Sequence, residues 1–291
     1  MTPYPTIFAG KWQAPHRHEA SGAGFAQAGL FWYSETVYKT FTANDYKKLF
    51  ELPADYTVDG MLCYGTWDIG RHVAFLKKIL EDLGKEVAYV TLTHFLTKMI
   101  EFKVDGKRFW FDVSYGGTQL SEYLNLACLF GSKKNVLLGS CGGLSPEINS
   151  LDLIIPTYSF GNESATRMYD RASTDNRHYA DKALSERLEK KINSNYKVWR
   201  GGTTTCQAMM AETLEDVPHW SQEGYLAVEM EASTVFAVSK HYNVPAAALL
   251  IVGDNLIKGE TVASESYKDN KPKREEIRND QYKVALEELL N

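Results

Sequence analysis

The chain has 291 residues, 44% of them apolar and 24% charged, which allows one large domain or two small ones around a substantial core. Its formal net charge is −5 and its pI is near 5.9, which argues against a basic nucleic-acid-binding face but leaves room for a small nucleotide-like ligand. No apolar run approaches the roughly 18 residues that span a membrane, and the opening Met1-Thr2-Pro3-Tyr4-Pro5 lacks the basic and apolar regions of a secretory signal.

Residues 1–57 carry Gly, Ala and aromatics without helical or strand period, and read as an N-terminal arm packing on the body or on a neighbouring subunit. Phe25, Phe31, Trp32 and Tyr33 argue against plain disorder. Asn44 is placed to cap a short helix through Phe50. A catalytic body is expected over residues 58–291. Gly60 to Tyr64 reads as a strand and His72 to Leu83 as an amphipathic helix closed by Gly84. Val87 to Thr93 and Lys98 to Val104 read as strands, and Asp105-Gly106 as a hairpin turn into Arg108 to Val113. Tyr115-Gly116-Gly117-Thr118 opens a helix from Leu120 to Phe130, and strands come next at Val136 to Gly139 and Leu153 to Pro156.

The charge-rich stretch Ser173 to Asn195 reads as a solvated helical region, and Trp199 to Cys206 as extended. Val228 ends a strand that passes into a helix from Ala232 to Tyr242. Ala246 to Val252 is a wholly apolar strand, expected to be buried on both faces, and Arg274 to Leu290 is the last helix. The expected fold is therefore α/β: a single domain with a mixed central β-sheet flanked by helices. Cys63, Cys128, Cys141 and Cys206 form no C-x-x-C pair and have no His at metal spacing, so they read as reduced, mostly buried thiols of a cytoplasmic protein.

Three segments carry chemistry. Gly139-Ser140-Cys141-Gly142-Gly143 reads as a turn that lets a ligand approach backbone N–H groups, or as a plain tight turn; it is neither a P-loop nor a dinucleotide fingerprint. Glu229-Met230-Glu231 offers carboxylates that can accept bonds from a vicinal diol, with a thioether beside them for a sugar or base. The bland reading is a helix N-terminus that favours acids. Asp254 ends an apolar run, where desolvation can raise its pKa and make it a proton donor; otherwise it is an N-cap for the next element.

Taken in order, these segments resemble the nucleoside phosphorylase-I family, which includes purine nucleoside phosphorylases, uridine phosphorylases, and methylthioadenosine and AMP nucleosidases. The resemblance covers roughly Gly60 to Leu290: Gly139-Ser-Cys-Gly142 matches a G-[ST]-C-G turn, Val228-Glu-Met-Glu-Ala232 a V-E-M-E-A signature, Gly253-Asp254 a Ser-Asp pair of purine-cleaving members, and Gly116-Gly117-Thr118 a glycine-rich turn. It implies that Glu231 binds the ribose hydroxyls with Met230 beside the sugar. Asp254 would protonate or hydrogen-bond purine N7, Ser140 would touch phosphate or water, and Val228 and Met210 would line the base pocket. Uridine-cleaving members carry a Gln-x-Arg pair that Ala211 to Asp216 lacks, so the resemblance favours a purine.

The departures concern phosphate. Leu137 stands where phosphorolytic relatives carry an Arg, no Arg falls near Thr91, and the first phosphate loop is replaced by Tyr64 to Arg71. Arg71 is left as one contact, and Asp68 as a candidate to activate water. The resulting expectation is an enzyme that cleaves a purine N-glycosidic bond, with water favoured over phosphate as nucleophile. No metal or organic cofactor is implied, although phosphate remains open as a co-substrate. The same resemblance implies a homo-oligomer, dimer or hexamer, with His16 or His18 of the arm, or His94, completing a neighbour's sugar pocket. The reading of another class is a non-catalytic nucleoside-binding or storage protein, which would release no free base.

Overall fold

The computed structural model describes residues 38–291. Contacts divide the chain after Phe41, and Thr42–Asn291 forms one compact unit. Residues 42–57, read from sequence with the arm, give this unit helix α1 (Ala43–Leu49) and the buried side chains of Phe50 and Tyr56. The cap of α1 is Thr42 rather than Asn44: Thr42 Oγ1 accepts from Asp45 N while the Asp45 carboxylate accepts from Thr42 N, a reciprocal pair that Asn44 has no partner to match.

The remaining elements are, in order, β1 (Gly60–Gly65), α2 (Ile69–Asp82), β2 (Ala88–Thr91), β3 (Ile100–Val104), β4 (Lys107–Ser114), α3 (Gly117–Leu129), β5 (Asn135–Gly143), β6 (Leu153–Phe160), α4 (Ser164–Tyr169), β7 (Arg177–Tyr179), α5 (Lys182–Lys191), β8 (Val198–Thr205), α6 (Asp216–Gln222), β9 (Ala227–Glu229), α7 (Ala232–His241), β10 (Ala246–Asn255), α8 (Glu265–Asp269) and α9 (Lys271–Leu290). One mixed sheet runs β10-β6-β8-β9-β5-β1-β4-β3-β2, with β7 beside β6. A further pairing of β10 with β5 closes β5, β10, β6, β8 and β9 into a ring.

Period-two alternation explains the layers. Along β10, Ala246, Ala248, Leu250 and Val252 face one core with α3 and α7, while Ala247, Leu249 and Ile251 face the other with α2, α5 and α9. Each fully buried Leu, Ile or Phe contributes about 1.5–3 kcal/mol by leaving water. Helix α2 buries His72, Leu76, Ile79 and Leu80, the one-face spacing of a helix packed on a sheet.

Two expectations change. Ser173 to Asn195 is helical only over α5; Asn176 sits at φ 53°, and Arg177–Tyr179 pair with β6 instead. The Gly139 to Gly143 run is not a turn but the end of β5, held extended because β10 pairs along it and β9 pairs with Gly142 and Gly143. Cys63, Cys128 and Cys141 are buried, Cys206 is half-buried, and all four are free thiols.

Candidate active site

Parallel strands β1, β5 and β10 end at a common sheet edge, the place where open α/β sheets gather ligands. Gly65 of β1 lies opposite Gly139 of β5 and Ser114 of β4. Further along β5, Gly142 pairs with Asp254 on one side and Val228 on the other. The Gly-Ser-Cys-Gly run, the Glu-Met-Glu run and Gly253-Asp254 therefore meet, although they lie far apart in sequence.

The two carboxylates of the Glu-Met-Glu run do different work. Glu229 is buried and accepts from Ser159 Oγ at 2.7 Å, Thr205 Oγ1 at 2.6 Å, Glu231 N at 2.7 Å and Ala232 N at 2.5 Å. It ties β6 and β8 to the N-terminus of α7, so the bland reading holds for Glu229. Glu231, also buried, accepts from Gly116 N at 2.8 Å. Burial, then the charge of Glu229, pushes its pKa up to about 8. The fit around it is close: a Cβ on Gly65 would lie 2.3 Å from Glu231 Oε2, and one on Gly117 2.1 Å from Thr234 Oγ1, so both glycines are needed for approach. Gln207, which sequence reading missed, locks this corner by accepting from Gly117 N at 3.0 Å and donating to the carbonyl of half-buried Met230 at 3.0 Å.

Asp254 is 9% exposed, and its pKa is pushed up to about 6 by burial and by Glu260, against the pull of Arg274. That leaves a carboxyl able to hold a proton near neutrality. Glu212 is a second acid near it, raised by burial and by the charge of Asp254. Arg274 is buried, lies 3.7 Å over the Tyr267 ring and donates to the Tyr267 carbonyl, with Nη1 unpartnered. Val228 is buried against Leu144 and Tyr225. Met210, expected in the base pocket, is 85% exposed. The 3-10 turn Met209–Ala211 turns its neighbour inward instead: Met209 is half-buried and its sulfur accepts from Tyr115 Oη at 3.8 Å.

At the end of β5, Ser140 is exposed and lies close enough to Tyr64 to pull down the hydroxyl pKa that burial raises. Tyr64 accepts from Arg278 Nε at 2.9 Å. Arg278 Nη1 and Arg71 Nη2 both donate to Glu275 Oε1. Asp68 caps α2 by accepting from Arg71 N at 3.2 Å. Leu137 is buried in the core. Gln281 of α9 donates to the carbonyls of Gly139 and Leu249, fixing the helix against both strand ends. Arg274, Glu275 and Arg278 were missed because nothing near them in sequence resembles a site. Two arginines four apart on the buried side of an otherwise apolar-faced helix are the signal that could have found them.

Trp67 and Tyr115, both exposed, pack at 4.8 Å between ring centroids at the ends of β1 and β4. A separate hollow of about 410 Å³, lined by Phe160, Arg177, Trp220 and Tyr225 among others, contains none of the site carboxylates. Alternation along β6 explains this, since Ser159 turns to Glu229 and Phe160 turns away. His16 and His18 lie outside the described residues, as does the side chain of His94. Among the described residues no group of three or more His, Cys, Asp and Glu is arranged to hold a metal ion, and no helix is long and apolar enough to cross a membrane.

Residues 97–287 match the family described as the phosphorylase superfamily. The chain is 29% identical over 174 residues to the purine nucleoside phosphorylase DeoD-type of Caldanaerobacter subterraneus subsp. tengcongensis, covering 59% of this chain and 72% of that protein. It is 27% identical over 180 residues to the protein of the same description from Bacillus cereus, covering 60% and 72%. The crystal structure of uridine phosphorylase from Vibrio fischeri superposes with a TM-score of 0.63 over 82% of this chain and 92% of that one; at 18% identity it shows the same fold.

Proposed function

The chain belongs to the phosphorylase superfamily, as an enzyme of the nucleoside phosphorylase type, and we propose that it cleaves the N-glycosidic bond of a purine nucleoside or nucleotide. The observation that carries this reading is the position of Gly142, between Asp254 and the strand that leads to Glu231. Glu231 accepts the ribose hydroxyls, with Met230 against the sugar. Asp254 gives its proton to purine N7 as the C1′–N9 bond breaks, so the base leaves neutral. The cationic ribosyl group that develops is attacked at C1′ on the side of Ser140. Purine is supported by Asp254 itself and by the absence of a Gln-x-Arg pair over Ala211 to Asp216.

Water is the favoured nucleophile. Leu137 is buried where a phosphate-holding Arg would stand, and Arg71 is already bonded to Glu275. Asp68 is the candidate to orient the water. Phosphorolysis is the second reading, supported by the relatives' description as phosphorylases. The proposal includes a homo-oligomer, dimer or hexamer, working in the cytoplasm without metal or organic cofactor. Product analysis on a panel of nucleosides, with and without phosphate, tests it. Free purine with ribose is expected; ribose 1-phosphate formed only with phosphate would select the second reading, and no base release from any nucleoside would leave a binding protein.

A further inference from the structure

We infer that Glu275 fills the place of an anionic co-substrate: by bridging Arg71 and Arg278 beside Ser140 and Tyr64, its carboxylate keeps inorganic phosphate out of the nucleophile side of the site. The inference rests on the N-glycosidic reading above and deepens it, because it names the side chain that decides between water and phosphate.

The geometry is that of an internal ligand. One oxygen, Glu275 Oε1, accepts from both guanidiniums, Arg71 Nη2 from the start of α2 and Arg278 Nη1 from α9. A phosphate oxygen between two arginines would take the same bonds. Arg278 is at the same time bonded through Nε to Tyr64 Oη. An arginine only donates, so Tyr64 accepts there; burial raises the Tyr64 pKa, and Arg278 and the neighbouring Ser140 hydroxyl both pull it down. Ser140 is exposed at the sheet edge, next to Gly139, which pairs with Gly65 of β1. The carboxylate thus sits one arginine and one tyrosine away from Ser140.

Charge acts in the same direction. Burial would raise Glu275, but the hydrogen bond from Arg71 and the charge of Arg278 outweigh it and hold its pKa below the usual range, so it is ionised at neutral pH. Two guanidiniums and one carboxylate leave a single net positive charge, and a dianion entering the bridge would have to displace the carboxylate or sit beside it. Displacement is hindered because α9 is anchored a turn and a half later by Gln281 on the carbonyls of Gly139 and Leu249. Glu275 is part-exposed and its side chain packs no core, and buried Arg278 keeps Tyr64 Oη as a partner, so Glu275→Gln, whose amide oxygen still accepts, leaves the fold standing.

The test is direct binding of inorganic phosphate to the full chain, measured by 31P NMR and calorimetry, in the wild type and in Glu275→Gln, Glu275→Ala and Glu275→Asp. The expected result is at least tenfold tighter phosphate binding for the Gln and Ala variants, with Asp staying as blind to phosphate as the wild type. In nucleoside assays the Gln and Ala variants should also yield ribose 1-phosphate in a phosphate-dependent way. Unchanged phosphate affinity in both variants, with their thermal melts intact, would overturn the inference and reduce Glu275 to a tie between α2 and α9. Wild-type phosphate binding that weakens in Glu275→Gln would also overturn it. Absence of base release from every protein defeats the functional reading alone, because the binding measurement still decides on Glu275.

Discussion

Glu229 and Glu231 stand two residues apart, both buried, and are held by buried Ser159 of β6, half-buried Thr205 of β8 and the buried Gly116 turn. Across the site, Arg71 meets Glu275 from 204 residues away, and the pair remains 39% and 27% exposed at its side chains. The difference is energetic as well as topological. Each hydrogen bond to a buried carboxylate is worth roughly 1.5–3 kcal/mol, whereas an exposed ion pair contributes about 0–1 kcal/mol. The side proposed to hold sugar and base is therefore bound into the stability of the sheet edge, while the Arg71–Glu275 pair on the proposed nucleophile side is open to exchange with less effect on folding.

The largest expected effect is on the base. Asp254→Asn keeps size and hydrogen bonding but has no proton to give, so kcat on purine nucleosides should fall about 10²–10⁴-fold with an unchanged melting profile. Because burial pushes Asp254 up to about 6, wild-type kcat/KM should decline as pH rises above about 6, and the Asn variant should lack that limb. Near-wild-type turnover in the variant would move the acid elsewhere, with Glu212 the next carboxyl to try. A smaller loss is expected on the sugar. Glu231→Gln should cost kcat/KM about 0.5–1.5 kcal/mol, the scale of a neutral hydrogen bond, because the carboxyl holds its proton up to about 8, and 2′-deoxy substrates should escape part of it. Equal penalties for ribo and deoxy substrates would mean that Glu231 does not read the 2′-hydroxyl.

The same contrast governs what could be read from sequence. Ser140, Glu231 and Asp254 announce themselves because each comes within a few residues of the end of an apolar strand, and local pattern suffices to put them there. The extension of β5 through Gly143 could not be read, because it depends on β10 and β9 pairing with it from more than 80 residues downstream. Nor could the one-residue shift from Met210 to Met209, which the phase of a short 3-10 turn decides. Arg278 and Glu275 sit in a helix that reads as an ordinary surface element until its packing on Gly139 is known. The architecture was legible, and so were the segments that meet at the sheet edge; the bridge of Arg71, Glu275 and Arg278 needed the tertiary structure.

Stability should separate the two sides without any substrate. Glu229→Gln turns one acceptor into a donor facing two hydroxyls and two backbone N–H groups. Leaving such buried groups unsatisfied costs about 1–3 kcal/mol, to be read as a lower urea midpoint at unchanged slope. Glu275→Gln, in contrast, should stay within about 1 kcal/mol of wild type. If the two variants unfold alike, the distinction between a structural and an exchangeable side fails.

The last effect is a slope. Burial, with the charge of Glu229, raises the Glu231 carboxyl from 4.5 to about 8 in the folded protein. Between those values the folded state binds the proton and the unfolded state does not, so this group's contribution to stability is full below about 4.5 and is lost as pH rises to about 8. Asp112 and Asp254, each raised by burial to about 6, act in the same direction but are exhausted above that pH. His72 opposes them, because burial lowers it from 6.5 to about 3 and the folded state gains stability as pH rises through that interval. Above 6.5 His72 is neutral in both states and no longer opposes Glu231, while Glu229 and Glu212, both raised by burial, act in the same direction as Glu231. Urea midpoints should fall with pH from about 6.5 to 8 in the wild type and fall less steeply in Glu231→Gln. A variant that keeps the wild-type slope would show that Glu231 is already ionised at neutral pH, and would make it a sugar ligand that carries its charge before substrate arrives.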